Sequence, residues 1–284
     1  MRHPVSSEVM KPTPLAATPL NIPAGTDPRE TLAEWLLTPE NPFLARAMAN
    51  RVWGQFLGRG IVHPVDDFRA TNPPVNPELL DALAADFAGH DFDLRHLMRR
   101  IMNSRLYQLS SLPNKTNVQD TSSFSRFYRR RISAENLHDI LVQVSGVESG
   151  FNNLRRDARS VELWTTRMDS ALLESFGLPN SSENCPVERD DRPSMVQALH
   201  LMNSDKLQAK LADKNGRAAK LGQEDKPSDE VVNELYLALY SRWPSDEEKR
   251  VALEAFKGGD AKRHEVVEDI IWALINTAEF VFNH

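Results

Sequence analysis

The chain has 284 residues, 40% of them hydrophobic and 26% charged, with a formal net charge of −6. That length admits about two domains and a sizeable core, and the composition is that of a folded globular protein. The acidic balance disfavours binding to nucleic acid or anionic membrane, no apolar run reaches the length of a membrane span, no signal-peptide centre opens the chain, and the single cysteine, Cys185, excludes an internal disulfide or a two-cysteine zinc knuckle.

Residues 1–26 carry Pro4, Pro12, Pro14, Pro19 and Pro23 with little periodicity, which predicts an extended, polyproline-like arm or linker. Asp27, Pro28 and Glu30 form a helix-start signature, and Leu32, Ala33, Trp35 and Leu36 give a short helix ending before Pro39.

The stretch from Asn41 to Arg69 is the most informative. Asn41 before Pro42 starts a helix, since Asn accepts a first-turn N–H and proline there forfeits no bond. Leu44, Met48, Val52 and Phe56, with Phe43 and Ala47 beside them, predict the buried stripe, and Arg46, Asn50 and Trp53 a second one. Gly58 and Gly60 end the helix. Ile61 and Val62 re-enter the core, and the charged loop that follows holds Asp66, Asp67 and Arg69. Two readings stay open: Arg46, Asn50 and Trp53 cap a loop and pack, or they line a polar cleft with Arg51, Asp66, Asp67 and Arg69.

Asn76–Pro77 repeats the start signal for a helix with Leu79, Leu80, Leu83 and Phe87 inward, closed by Gly89 and His90. Asp93 caps a helix through Leu94, Leu97, Met98 and Ile101 that is expected to reach Tyr107. Between residues 95 and 131, nine lysines and arginines face one acid, Asp120. That run either pairs with acids elsewhere or forms a groove for an anionic ligand such as an acidic glycan; no nucleic-acid motif accompanies it. Residues 110–126 read as a polar loop. Ser133 caps a helix with Leu137, Ile140, Leu141 and Val144 inward, ended by Gly146.

Residues 148–192 are the least regular, with an extended piece expected over 160–165 and a helix from Ala171 to Phe176. Long irregular loops are functional or disordered, so Cys185, Glu188 and Arg189 enter the candidate set. No neighbouring base marks Cys185 as a nucleophile, and a packed thiol is the commoner fate. Pro193 suits the first turn of a helix with Met195, Leu199 and Met202 inward. His200 on that helix reads as a packed histidine; with no paired histidine spacing, no metal site and no cofactor are expected. Residues 206–223 read as a frayed helix and loop. Ser228 caps a helix with Val231, Leu235 and Leu239 inward. Ser245 to Glu248 is a capping box, and a last helix from about His264 buries Val267, Ile270, Ile271, Leu274 and Ile275.

Near-universal helical periodicity predicts an all-α, orthogonally packed domain of nine or ten helices with long polar loops. The domain runs over 27–284, with possible subdomains 27–147 and 190–284 joined by the irregular residues 148–189.

The block NPFLARAMANRVWGQFLGRGIVHPVDDFRATNPPVNPELLDALAADF resembles the planctomycete surface-associated PSD domain, a family of unknown function. So do NSRLYQLSS, RRRISAENLHDILVQVSGV, QALHLMNS, ELYLALYSRWPSDEE and WALINTAEFVFNH, in order, from about Asp27 to His284. The resemblance implies the C-terminal part of a longer exported protein with cytochrome-c-like domains upstream, hence an extracytoplasmic setting and those domains as partners; no Cys-x-x-Cys-His haem motif occurs here. It transfers no activity. Where the family has a Cys-x-Cys-Glu-Arg run, this chain has Cys185, Pro186, Val187, Glu188 and Arg189, so a role for a cysteine pair is not implied here.

Function reduces to two expectations. The first is a non-catalytic binding or assembly module, suggested by a helical scaffold without a catalytic constellation. The second is an enzyme or enzyme partner acting on polysaccharide through Arg46, Asn50, Arg51, Trp53, Asp66, Asp67, Arg69, Arg131, Glu188, Arg189 and His200, with Asp66 or Asp67 and His200 as acid and base.

Overall fold

A computed structural model describes residues 2–283 apart from 17, 21, 24, 39–40, 152–153, 156, 164–169, 179–193 and 259–260. The all-α expectation holds: the described residues form thirteen α-helices, one 3-10 turn and a single two-stranded ladder. The chain divides into two compact units, Met1–Tyr128 and Arg129–His284.

The first unit contains α1 (Pro28–Leu36), α2 (Pro42–Leu57), α3 (Pro77–Gly89) and α4 (Leu94–Met102). The starts follow the sequence signals closely. Asn41 accepts from the Phe43 and Leu44 N–H groups, Asn76 from Leu79 and Asp93 from Arg95, each leaving fewer orphan donors in the first turn. Gly58 takes the left-handed conformation with φ of 76° and closes α2. Gly60 serves a different need: a Cβ there would stand 2.2 Å from the Val62 carbonyl oxygen.

The buried face of α2 differs from the predicted one. Ala45, Ala49, Val52, Trp53 and Leu57 point inward, joined by Asn50, while Phe43 is exposed and Leu44, Met48 and Phe56 are half-buried. They pack with Leu80, Ala84 and Phe87 of α3, Leu97 and Ile101 of α4, and Ile61, Val62, Phe124 and Phe127 from the loops. Small alanines let a partner helix approach more closely than a leucine row would, so they take the inner face. Helix α4 stops at Met102 and gives way to turns, short of Tyr107. The polar loop after it is organised by Asp120, which accepts from the N–H groups of Ser122, Ser123 and Ser125 and from the Ser125 hydroxyl.

The second unit is built around α12 (Arg263–Ile275), which buries Val266, Val267, Ile270, Ile271, Leu274 and Ile275. Around it stand α5 (Ala134–Ser145), α6 (Ala171–Ser175), α7 (Met195–Asn203), α8 (Asp205–Leu211), α9 (Arg217–Gln223), α10 (Ser228–Tyr240), α11 (Asp246–Ala255) and α13 (Ala278–Val281). Its first and last residues meet in the ladder, strand β1 (Arg130–Arg131) antiparallel to β2 (Phe282–Asn283). Helices α9 and α12 touch so closely at Gly222 that a Cβ there would lie 2.5 Å from His264 Cβ.

Four expectations need correction here. Residues 160–162 are a 3-10 turn, not extended. Residues 206–223 are two helices that bury Leu207, Leu211, Ala218, Ala219 and Leu221, not a frayed end. In α7 the inward residues are Gln197 and Leu201, and Met195, Leu199 and Met202 are the exposed face. Ser228 is the first residue of α10, which makes no side-chain cap bond. The first-turn role expected of Pro193 lies outside the described residues; α7 starts after a capping box of Ser194 with Gln197.

Candidate functional site

The organising stretch places its polar residues in two unlike settings. Asn50 is fully buried, and all its hydrogen-bonding capacity but one lone pair goes to main chain. Its Nδ2 donates to the Val62 and Val65 carbonyls at 2.9 and 3.0 Å, and its Oδ1 accepts the Val62 N–H at 2.8 Å. It pins the loop after the helix instead of facing a ligand. Trp53 is buried edge-on against Phe124, with centroids 5.4 Å apart. Gly58 and Gly60 let the following loop fold back to reach Asn50.

Five charged residues of that stretch are ion-paired. Arg51 binds Asp66, Arg69 binds Asp67 at 2.7 Å, and Arg46 reaches Asp81 of α3 at 3.0 Å. Asp81 was not among the sequence candidates; its place four residues into α3 gives no sign of the partner.

Arg131 and His200 belong to the second unit. Arg131 donates to the Phe176 carbonyl at 2.8 Å and lies 5.4 Å from the centre of that residue's ring, a structural brace between β1 and α6. His200 lines a small, mostly apolar hollow of about 310 Å³ with Ser170, Ser204, Lys206 and Lys210. Burial pushes its pKa down, and the Lys206 charge adds to that. Cys185, Glu188 and Arg189 lie outside the described residues.

Sequence reasoning passed over one concavity entirely. A cleft of about 940 Å³ in the second unit is lined by both termini of that unit and by α5, α10 and the segment after α5. Asn136, Gln143 and Asn283 offer neutral polar groups; the Tyr240 hydroxyl is engaged by the Leu274 carbonyl and Thr277, and Glu279 by Arg242. Its floor holds His138, whose Nδ1 is 2.6 Å from Ser160 Oγ. Asp139 takes the Ser160 N–H at 2.6 Å and stands 3.5 Å from Arg159 Nε. Burial lowers the His138 pKa, a bond to Asp139 raises it in part, and the Lys210 charge lowers it again. Lys210 is itself lowered by burial; its ammonium donates to the Val147 carbonyl at 3.2 Å and to Ser149.

Ser160, His138 and Asp139 have the composition of a hydrolase triad but not its geometry. A relay needs the serine on one imidazole nitrogen and the carboxylate on the other. Here Asp139 Oδ1 lies 3.5 Å from the same Nδ1 that meets Ser160. Ser160 is also 1% exposed, so its hydroxyl is closed to a substrate. The trio clasps the 3-10 turn onto α5. The signal for it in the sequence, His138–Asp139 on one helix, had no marked partner until the fold brought residue 160 beside them.

The described residues contain no helix long and apolar enough to cross a membrane. The family model for PSD1, a protein of unknown function (DUF1553), matches residues 28–256, so the chain belongs to that family. Among curated proteins and solved structures nothing matches it.

Proposed function

From membership of a family without an assigned activity, we propose that the chain is a non-catalytic binding module whose cleft in the second unit takes a neutral, polyhydroxylated ligand such as the end of a glycan chain. The observation that carries this is the lining: amide and carboxylate groups spread along an open groove beside the Tyr240 ring, with its one histidine tied to Ser160. Planar polar side chains with an aromatic neighbour match the donors, acceptors and apolar faces of a sugar ring. The lining's arginine, Arg159, already stands 3.5 Å from Asp139, so this cleft holds little to attract the anionic glycan suggested by the basic run at 95–131. An exported parent protein with upstream domains as partners fits the likeness of the sequence blocks to the surface-associated family. The enzyme alternative draws little support from Asp66 and Asp67, which pair with Arg51 and Arg69.

The test is titration of the whole chain with a neutral gluco-oligosaccharide and, separately, with an oligogalacturonate of equal length, by calorimetry and by chain-length analysis of the recovered sugar. The neutral ligand is expected to bind and to return uncut. Asn136→Ala, at an exposed lining position, should weaken it by about fivefold, the worth of one net hydrogen bond. Tighter binding of the acidic oligomer, or shortened product, overturns the proposal.

A further inference from the structure

The turn between α3 and α4 brings three metal-ligating side chains together. Asp86, His90 and His96 each offer one ligand atom, and those atoms all lie within 4.8 Å of one another. The sequence hides this, since the two histidines fall on either side of a helix break. Asp86 lies on the last turn of α3 and His90, its C-cap, follows four residues on, and the chain then reverses over His90 to Asp93. Asp91 and Phe92 both adopt left-handed backbone, with φ of 51° and 56°, which non-glycine residues rarely do without support. The support is Phe92 packed edge-on to the buried Phe87, with centroids 5.4 Å apart. Leu97 and Ile101 then sink α4 into the core. The three donors are therefore carried by elements that the core holds still.

The hydrogen bonding holds the rings beside the carboxylate. His90 Nδ1 lies 2.7 Å from the Asp86 main-chain carbonyl and 3.6 Å from Asp86 Oδ1. His96 Nε2 lies 2.9 Å from Asp86 Oδ2, with a proton between them that a cation would replace. We propose that Asp86, His90 and His96 form a binding site for a divalent zinc-class cation. Two imidazoles and a carboxylate are the borderline donor set that zinc takes, and three protein ligands leave its fourth position to water.

Two features tune the site. The imidazole rings are stacked, with centroids 3.7 Å apart and planes 14° apart. Lone pairs lie in the ring planes, so one ring must tilt to share an ion. His90, with 51% of its side chain exposed against 23% for His96, is the ring that tilts. Arg100 Nε stands 3.6 Å from Asp86 Oδ2 and competes with the cation for that oxygen.

Calorimetric titration of the chelator-treated whole chain with zinc chloride tests this. One zinc per chain is expected, and the His90→Ala/His96→Ala double variant should lose at least about tenfold in affinity. Arg100→Gln should bind zinc tighter than wild type, by about two- to fivefold, because it releases the carboxylate. Zinc should also shift the ring resonances of His90 and His96 in the wild-type NMR spectrum, a reading that needs no variant to fold. Absence of stoichiometric uptake, equal uptake by the double variant, or shifts confined to other histidines overturns the site.

Discussion

In each unit a polar side chain ties several segments together, and the two do so by opposite means. In the first unit it is Asn50, neutral and fully buried, with three hydrogen bonds to main chain. In the second it is Arg242, just past α10. It donates to Glu279 at 2.7 and 2.8 Å and to Glu248 at 2.7 and 2.9 Å. Its guanidinium also lies over the rings of Tyr236 and Tyr240. Arg242 thereby joins α10 to α11 and α13. It makes more bonds, and charged ones, yet its side chain is 37% exposed. Water can replace each of those bonds, whereas the amide of Asn50 shields groups that water does not reach. Solvent access therefore ranks the two hubs in the reverse order of their bond counts.

The ranking breaks most directly at Asn50. Asn50→Ala strands the Val62 N–H and C=O and the Val65 C=O, and each buried orphan costs about 1–3 kcal/mol. Because the Val65 carbonyl is partly buried, a total near 3–5 kcal/mol is expected, a large part of the usual 5–15 kcal/mol of a folded domain. Urea unfolding measures it. A loss under about 1 kcal/mol would mean water fills the vacated space, and solvent access would then not separate the two hubs.

A smaller effect with a distinctive pH signature is expected at Arg242. Hydrogen bonds from Arg242 hold the Glu248 carboxyl down to about 2, with the Ser245 cap contributing, against an ordinary value near 4.5. The folded state thus favours the ionised carboxylate. Its contribution is complete above the ordinary value and disappears as pH falls from about 4.5 through about 2. Arg242→Met should lower stability at neutral pH by about 1–2 kcal/mol, after discounting for screening at a side chain more than a third exposed. It should also flatten the decline between pH 5 and pH 2, seen as urea midpoints that converge with wild type on acidification. Parallel curves for the two proteins would remove Glu248 from the account.

The same contrast explains what the sequence made legible. Helix starts were readable because a cap is local: Asn41, Asn76, Asp93, Ser133 and Ser245 each bond within their own first turn. The inner face of α2 was not, because apolar residues surround that helix and periodicity alone cannot choose between the Leu44–Met48 row and the Ala45–Ala49 row. Only the partner helices decide. In α7 the apolar row Met195, Leu199, Met202 pointed the wrong way for the same reason. Strand pairing of Arg130–Arg131 with Phe282–Asn283 joins residues over a hundred and fifty positions apart with no alternation to announce it. The cleft around His138 is assembled across breaks between elements, and in the trio at Asp86 the turn over 90–93 separates His96 from the Asp86–His90 spacing, so periodicity does not reach either in full. What the stretch 41–69 announced was dense charge beside an amphipathic helix. Its local ion pairs depend on side-chain direction at the helix surface, which sequence spacing leaves open.

Those ion pairs supply the smallest effect. Arg51 and Asp66 bind each other directly, but their side chains are 51% and 68% exposed. An exposed pair gains little attraction in water and loses the freedom of two long side chains, so its net worth is about 0–1 kcal/mol. Asp66→Asn keeps the shape and removes the charge. It should leave the urea midpoint within about 0.5 kcal/mol of wild type and erase what salt dependence the pair has. The neighbouring Asn50 lies one residue before Arg51 and faces inward, so two adjacent positions are expected to differ severalfold in cost. If Asp66→Asn instead destabilised the protein as much as Asn50→Ala, the loop would be held by its charges. The buried amide would then be a consequence of that loop's position and not its cause.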